Sequence, residues 1–351
     1  MAYSTISKPG LHFNTKLYTG NGSTQSITGV GFQPDFVWLK RRDASAGHKL
    51  NDAVRGVNKQ LVSNNANAED SNTDILTAFG TDGFTLGNNS DVNNNGNSFV
   101  SWNWKAGGGQ GTSNTDGSIN TTYTSVNTTA GFSISSYTGT GSNATVGHGL
   151  GAAPKAIIIK ELNPASTRAW RVYHEGMGNS NVMYLNQTDS QASDSTAFNS
   201  TSPTNSVFSL GTSVGVNESG KNFIAYCFAE KQGYSKFGKY QGNGNADGTF
   251  VYTGFKPAFT IIKRQNGTDN WALHDNRRPE RGGNPNDAAL RANLADAEYG
   301  GSQGVDFLSN GFKARQNDGE FNNSSSTYVY LAFAEEPLVA NVGSGVPATA
   351  V

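Results

Sequence analysis

Apolar residues along this chain rarely keep the 3.6-residue spacing of a helix. They alternate with polar residues or come in short runs, and clusters of Gly, Asn, Asp and Ser interrupt them at close intervals. That pattern predicts an all-β sandwich or barrel. The clearest strands follow prolines: "FVWLK" (36–40), "AIIIK" (156–160) and "FTIIK" (259–263). Such near-continuous apolar runs predict strands covered on both faces, with the proline at or before the first strand residue. A second set alternates with period two. Val100, Trp102 and Trp104 share one face, as do Ile224, Tyr226 and Phe228, and Val329, Leu331 and Phe333. Ser101, Asn103, Ala225, Cys227, Tyr330 and Ala332 take the opposite face. Burying three large side chains per strand, at about 1.5–3 kcal/mol each, is enough to anchor a core.

These strands belong to a longer repeat. "YTGNGSTQSITGVGFQPDFVWLK" (18–40) returns as "YTGTGSNATVGHGLGAAPKAIIIK" (137–160) and "YQGNGNADGTFVYTGFKPAFTIIK" (240–263). Three further blocks follow each phrase in fixed order: "HKLNDAVRG", "WRVYHEGMG" and "WALHDNRRP"; then "DGFTLG", "SVFSLG" and "NGFKAR"; then the alternating strand. The chain is therefore read as three tandem homologous β-sandwich units of about 100 residues each. The boundaries are an N-terminal arm at 1–12, repeat 1 at 13–108, a Gly/Ser/Thr linker at 109–131, repeat 2 at 132–232, repeat 3 at 233–336 and an extended C-terminal arm at 337–351. "NDAALRANLADAEYG" (286–300) has helix propensity. Its register with "LVSNNANAE" (61–69), too rich in Asn for a helix, predicts a short strand and a loop instead.

Charged residues are only 15% of the chain, below the roughly 25% of an average globular protein, and the formal net charge is −1. Nucleic acid and anionic membrane surfaces are thereby disfavoured as partners. The nearest basic clusters, Lys40-Arg41-Arg42 and Arg277-Arg278 with Arg281, are short and lie beside acids. A single cysteine, Cys227, excludes an intramolecular disulfide framework and reads as a buried apolar side chain. No apolar run approaches the ~20 residues of a membrane span, and "MAYSTISKPGLHF" lacks the pattern of a signal peptide. The expectation is a soluble protein made in a reducing compartment.

Candidate chemistry is sparse. His174 aligns with Asp52 and Asp275, and His274 falls one position earlier, so no histidine keeps a common place in the repeat. A glycosidase pair would need two carboxylates roughly 5–9.5 Å apart; Asp52, Asp275, Glu230 and Glu335 are the candidates, but recurrence at scaffold positions favours structural roles. "DVNNNG" (91–96) opens like a calcium loop, yet Trp102 stands where the twelfth-position Glu should be. No phosphate loop, nucleophile elbow, zinc spacing or dinucleotide fingerprint is present. Catalytic residues, cofactors and metals are accordingly expected to be none. Asp-x-x-Arg-Gly (52–56) reads as a turn kept intact only in the first unit.

"FNTKLYTGNGSTQSITGVGFQPDFVWLK", "LNDAVRGVNKQLVSNN", "FVSWNWKAGGG" and "YCFAEKQGYSKFGKYQGNG" resemble a family of uncharacterised repeat proteins of marine bacteriophages, cyanophage-like among them. The resemblance covers nearly the whole chain and implies a virion structural or tail-fibre-like protein assembled in the host cytoplasm, with no catalytic residues. It implies other virion proteins as partners and a homo-oligomer, taken as a trimer, with no nucleic acid and no membrane insertion. A tail-associated adhesin contributing to host attachment is the leading expectation, with Trp38, Trp170, Trp271 and Tyr299 as possible contacts for a host surface glycan or partner, although Trp170 and Trp271 read more readily as core residues at equivalent positions of the repeat. The alternative is a capsid decoration or head-fibre protein whose terminal arms dock on the shell, and a remote one is a carbohydrate-active hydrolase.

Overall fold

A computed structural model describes residues 4–163, 167–279, 283–300 and 304–339 of the 351. Each unit pairs a large antiparallel sheet with a small one. In the first unit the large sheet runs in the order Phe13–Thr19, Ser98–Trp104, Phe36–Arg41, Lys49–Asp52, Lys59–Val62, Asp70–Ser71. The third follows the same plan: Ser235–Gln241, Thr327–Pro337, Phe255–Arg264, Trp271–Asp275, Leu290–Arg291. The second adds Tyr123–Asn127 outside Phe132–Thr138, so part of the segment read as a linker at 109–131 is a sheet strand. Thr121, Thr124 and Ser125 are buried there, and the Thr124 and Ser135 hydroxyls bond across the pair at 3.1 Å. Polar composition misled because these hydroxyls satisfy one another inside the structure.

The opening phrase is a folding device. Its tyrosine hydroxyl donates to a backbone carbonyl of a distant turn in every unit: Tyr18 to Val92 at 2.7 Å, Tyr137 to Val216 at 2.7 Å and Tyr240 to Phe321 at 2.6 Å. The glycine two residues on (Gly20, Gly139 or Gly242) lies so close to the same turn that a Cβ would collide with a carbonyl oxygen. The next glycine (Gly22, Gly141 or Gly244) adopts φ near +70°, which a side chain would strain. A buried asparagine completes the knot. Asn93, Asn217 and Asn322 each donate to two or more carbonyls and accept from the amide of Asn21, Thr140 or Asn243. The apparent calcium loop is part of this device, a helical turn at Ser90–Asn93.

The proline-led strands are buried on both faces, as their apolar runs predict. Pro257 is the exception in detail: it sits inside Phe255–Arg264, at a register shift against the closing strand, where a missing N–H is tolerated. Leu290–Arg291 is a short strand followed by a loop, as the register with unit 1 requires. Leu290, like Leu61 in Lys59–Val62, is held by burial that overrides helix propensity.

The large faces of the three sheets do not look into separate sandwiches. They meet in one central core containing Phe13, Phe36, Trp38, Trp102 and Trp104 from the first unit, Phe132, Ile158, Tyr226 and Phe228 from the second, and Phe237, Phe259, Ile261 and Phe333 from the third. Phe36 stacks near Tyr226 at 4.5 Å between centroids, Trp104 lies 5.7 Å from Phe259, and Phe228 lies 5.9 Å from Phe333. The interiors of units 1 and 2 form their own, smaller clusters, around Val37, Leu39 and Phe84 and around Ile157, Cys227 and Phe208. The array is thus closed on itself, a ring of three units around shared aromatic residues. The N-terminal arm joins in, with Ile6 buried in the central core and the His12 ring against Tyr234 at 5.9 Å. The C-terminal arm lies outside the described residues beyond Val339.

Equivalent lysines at the ends of the proline-led strands weld the ring. Each is fully buried and donates to the next residue's carbonyl and to a carbonyl of a neighbouring unit. Lys40 reaches Arg41 and Ala295, Lys160 reaches Glu161 and Ala66, and Lys263 reaches Arg264 and Thr188. The three cross-unit acceptors occupy one register position, five residues after Leu61, Met183 and Leu290. Unit 1 therefore bonds to unit 3, unit 3 to unit 2 and unit 2 to unit 1. Burial pushes all three ammonium groups down to about 8. The unfolded chain, with ordinary lysines near 10.5, binds more protons across that interval, so stability should rise as pH is raised from about 8 towards 10. Denaturant midpoints at stepped pH check this, and each single Lys→Met variant should remove about a third of the rise.

Candidate functional site

Most side chains with reactive potential are internal structural parts. Asp52 and Asp275 are buried, each bonded to an arginine three residues on, Arg55 or Arg278. The Asp–Arg pair of the turn thus recurs in the third unit, with Pro279 where the first unit has Gly56, so the full Asp-x-x-Arg-Gly belongs to the first unit and its ion pair to both. Each aspartate also accepts from the neighbouring unit: Asp52 from the Tyr226 hydroxyl and Asp275 from Trp102 Nε1, both at 2.8 Å. The donor position in unit 3 is Leu331, which has nothing to donate, and its partner position in unit 2 is His174. His174 accepts the Gly176 amide at Nδ1 and donates from Nε2 to the Tyr330 carbonyl at 3.1 Å. Burial pushes its imidazole down to about 4 and that of His274 down to about 3.

The other charged candidates are paired. Arg41 bonds Asp43 and Arg42 bonds Glu298, so the first basic cluster is not an open patch; in the second, Arg278 is buried and bonds Asp275 and Glu298, and Arg281 lies outside the described residues. Glu230 pairs with Lys236 at 2.7 Å and Glu335 with Lys256 at 3.3 Å. Cys227 is buried, and desolvation pushes its thiol well up, away from thiolate chemistry. Among the described residues no group of three or more His, Cys, Asp or Glu side chains could hold a metal.

Three of the four aromatics offered as possible surface contacts are inside, Trp170 and Trp271 in the core positions that their equivalence in the repeat favoured. Trp38, Trp170 and Trp271 are at most 2% exposed. Trp170 Nε1 donates to the Val62 carbonyl and Trp271 Nε1 to the Tyr184 carbonyl, both at 3.0 Å across unit seams, and Trp38 Nε1 donates to His48 Nδ1 at 2.8 Å. No sugar can stack on them. Tyr299 is exposed, with the Arg291 guanidinium 5.4 Å from its ring centre.

A different pair of aromatics faces outward. Phe250 and Tyr252 flank buried Val251 on Phe250–Tyr252, the outer strand of unit 3's small sheet, and are 43% and 53% exposed. Period-two geometry puts both rings on one face. Their register partners, Lys313 and Gly311, place them opposite the same positions as Ser26 and Thr28 in unit 1 and Thr145 and Gly147 in unit 2. Only in unit 3 are both outward positions aromatic. The signal was present in "TFVYTGF" against "TQSITGVGF", and reading the phrase as architecture hid it. Beside Tyr252 opens a groove of about 450 Å³ lined by Glu230, Gln232, Ser235, Lys236 and Thr253. Apolar rings rimmed by hydroxyl, amide and ion-paired groups can hold a neutral polar ligand or a protein loop.

A family profile matches residues 8–337, from the N-terminal arm to the end of the last closing strand. The chain belongs to that family, described as a domain of unknown function, DUF7483. The match takes in the whole ring as one domain, in keeping with a core shared by all three units. No curated protein matches the chain.

Proposed function

We propose that the protein is a non-enzymatic structural component of a bacteriophage particle, a tail-associated fibre or adhesin that contributes to host attachment. The observation that carries this reading is the outward Phe250–Tyr252 pair on a ring whose repeated polar residues are used in welding its units together. Such a body is suited to holding a surface rigidly, and the resemblance to phage repeat proteins supplies the setting. Reconstructed density of the protein on intact particles tests it: tail density supports attachment, and density over the whole icosahedral shell sinks it. The decoration reading relied on free terminal arms. Ile6 and His12 of the N-terminal arm instead pack on the protein's own ring, which leaves that arm unsuited to gripping a shell; the C-terminal arm beyond Val339 lies outside the described residues.

Tyr252→Ala and Phe250→Ala should each cost no more than about 1 kcal/mol of stability, since both residues are about half exposed on an edge strand. Each should weaken retention on host cells by about tenfold, the value of one lost aromatic contact. A double variant that binds hosts as well as the parent protein rules this face out. Homotrimer assembly belongs to the same proposal, and light scattering of the purified chain decides it.

A further inference from the structure

The three seams of the ring are built from equivalent positions, and one seam lacks a member. The residue two beyond each welding lysine is Arg42, Leu162 or Gln265. The residue eight beyond Leu290, Leu61 or Met183 is Glu298, Glu69 or Gln191. Between units 1 and 3, Arg42 grips the Glu298 carboxylate with both arms of its guanidinium, Nε to Oε2 at 2.9 Å and Nη2 to Oε1 at 2.7 Å. The Glu298 amide also donates to the Arg42 carbonyl at 2.7 Å. Between units 2 and 3, Gln265 Nε2 donates to Gln191 Oε1 at 2.7 Å, and the Gln191 amide donates to the Gln265 carbonyl at 2.9 Å. Between units 1 and 2 the pair is Glu69 with Leu162. Leu162 has nothing to donate to the carboxylate, and no backbone bond joins the two.

A pocket of about 240 Å³ opens at this seam. Val54, Arg55 and Glu69 of unit 1 form one wall, and Leu162, Tyr123 and Ser136 of the second unit's sheet form the other. Arg55 is paired with Asp52 inside the seam. One Glu69 oxygen takes Arg55 Nη1 at 3.3 Å and the other takes Lys59 Nζ at 3.3 Å. Both contacts are longer than the roughly 2.7–2.9 Å of a strong charge-assisted bond to a carboxylate. Lys59 is 40% exposed and reaches Glu69 from outside the pocket, with a compact ammonium that cannot fork across two oxygens. The Glu69 side chain is 16% exposed, so it is open to a better partner. Pro164, Ala165 and Ser166, which follow this wall in sequence and lie outside the described residues, carry no charge. A carboxylate flanked by Val54, Leu162 and an aromatic ring suits a planar cation with paired N–H donors.

We propose that this pocket binds the guanidinium group of an arginine side chain supplied by another polypeptide. The guanidinium takes the place at Glu69 that Arg42 takes at Glu298, lies against Tyr123, and releases Lys59 to solvent. The assignment goes beyond host attachment and is separate from the Phe250–Tyr252 face, so either can fail without the other.

Methyl NMR of the full chain, ¹³C-labelled at leucine and valine methyl groups, tests it at Val54 and Leu162. N-acetyl-arginine amide is titrated beside the corresponding lysine and citrulline amides. The lysine probe keeps the charge without the fork, and the citrulline probe keeps the shape without the charge. The arginine probe should shift both residues saturably and bind more tightly than the lysine probe, and the citrulline probe should not bind. Glu69→Gln should weaken arginine binding about tenfold, the loss of a charge-assisted bond. Leu162→Arg copies the unit 1 arrangement and should abolish binding, read at Val54. Three outcomes overturn the proposal: the arginine probe moves neither residue, the lysine or citrulline probe binds as tightly, or Leu162→Arg binds like the parent. Should a variant fail to fold, the three titrations of the parent chain still decide.

Discussion

Asp275→Ala should destabilise the protein by about 3–5 kcal/mol, one of the two largest effects expected of any single substitution. The carboxylate is buried at a seam between units and satisfies four donors. Its Oδ1 accepts the Arg277 and Arg278 amides at 2.9 and 3.0 Å; its Oδ2 accepts Arg278 Nε at 2.5 Å and Trp102 Nε1 at 2.8 Å. Alanine would leave the Arg278 side chain, itself 0% exposed, with Glu298 at 3.1 Å as its remaining carboxylate partner, and Trp102 with no acceptor inside the core. Removing one member of a buried ion pair costs far more than the pair's net worth, because the charge left behind is desolvated. Trp102→Phe is the matched comparison. It deletes one donor and leaves Asp275 bonded to Arg278, so about 1–2 kcal/mol should be lost. Urea midpoints measured side by side check both. Equal losses from the two variants would show that the pair is not what holds the seam.

The history of that seam explains how much could be read in advance. The short strand at Leu290–Arg291 and the double burial of the proline-led runs follow from periodicity and register alone; strand order within a unit does not. Nor does closure into a ring. The faces carrying Trp102, Tyr226 and Leu331 look like sandwich interiors because an apolar face reads the same whether a sheet or a neighbouring unit covers it. The His174 substitution looked like decay of a turn, and is intelligible only once Leu331 is seen at the donor position of the repeat and His174 is seen to bond the neighbouring Tyr330 carbonyl across the seam. Trp38, Trp170 and Trp271 read as possible surface contacts because aromatics among polar neighbours can stack on sugars, although Trp170 and Trp271 read more readily as core residues. A buried ring N–H, however, needs a partner. The carbonyls of Val62 and Tyr184 supply that partner from another unit, which no single-unit reading contains. The aromatic pair at Phe250 and Tyr252 was legible in principle, by asking where one copy of the phrase departs from the other two.

A shared core predicts shared unfolding, and Phe333→Ala tests it most directly. The Phe333 ring lies within 6.4 Å, between centroids, of Phe13 and Trp104 from unit 1, Phe228 from unit 2, and Tyr234, Phe237 and Phe259 from its own unit. Truncation to alanine opens a cavity that all three units line, and the loss should reach about 3–5 kcal/mol. Independent sandwiches would confine that loss to unit 3 and split the melting curve, as chains of this length commonly do when their domains have separate cores. The ring closed by Lys40, Lys160 and Lys263 and filled by one aromatic core should instead melt in a single transition, shifted down as a whole. Hydrogen exchange read separately on Phe36–Arg41, Ala156–Glu161 and Phe255–Arg264 distinguishes the two. Loss of protection confined to Phe255–Arg264 would return the protein to three beads on a string. Parallel loss in all three strands means that no unit holds its fold without the other two, and that the thrice-written phrase builds one domain.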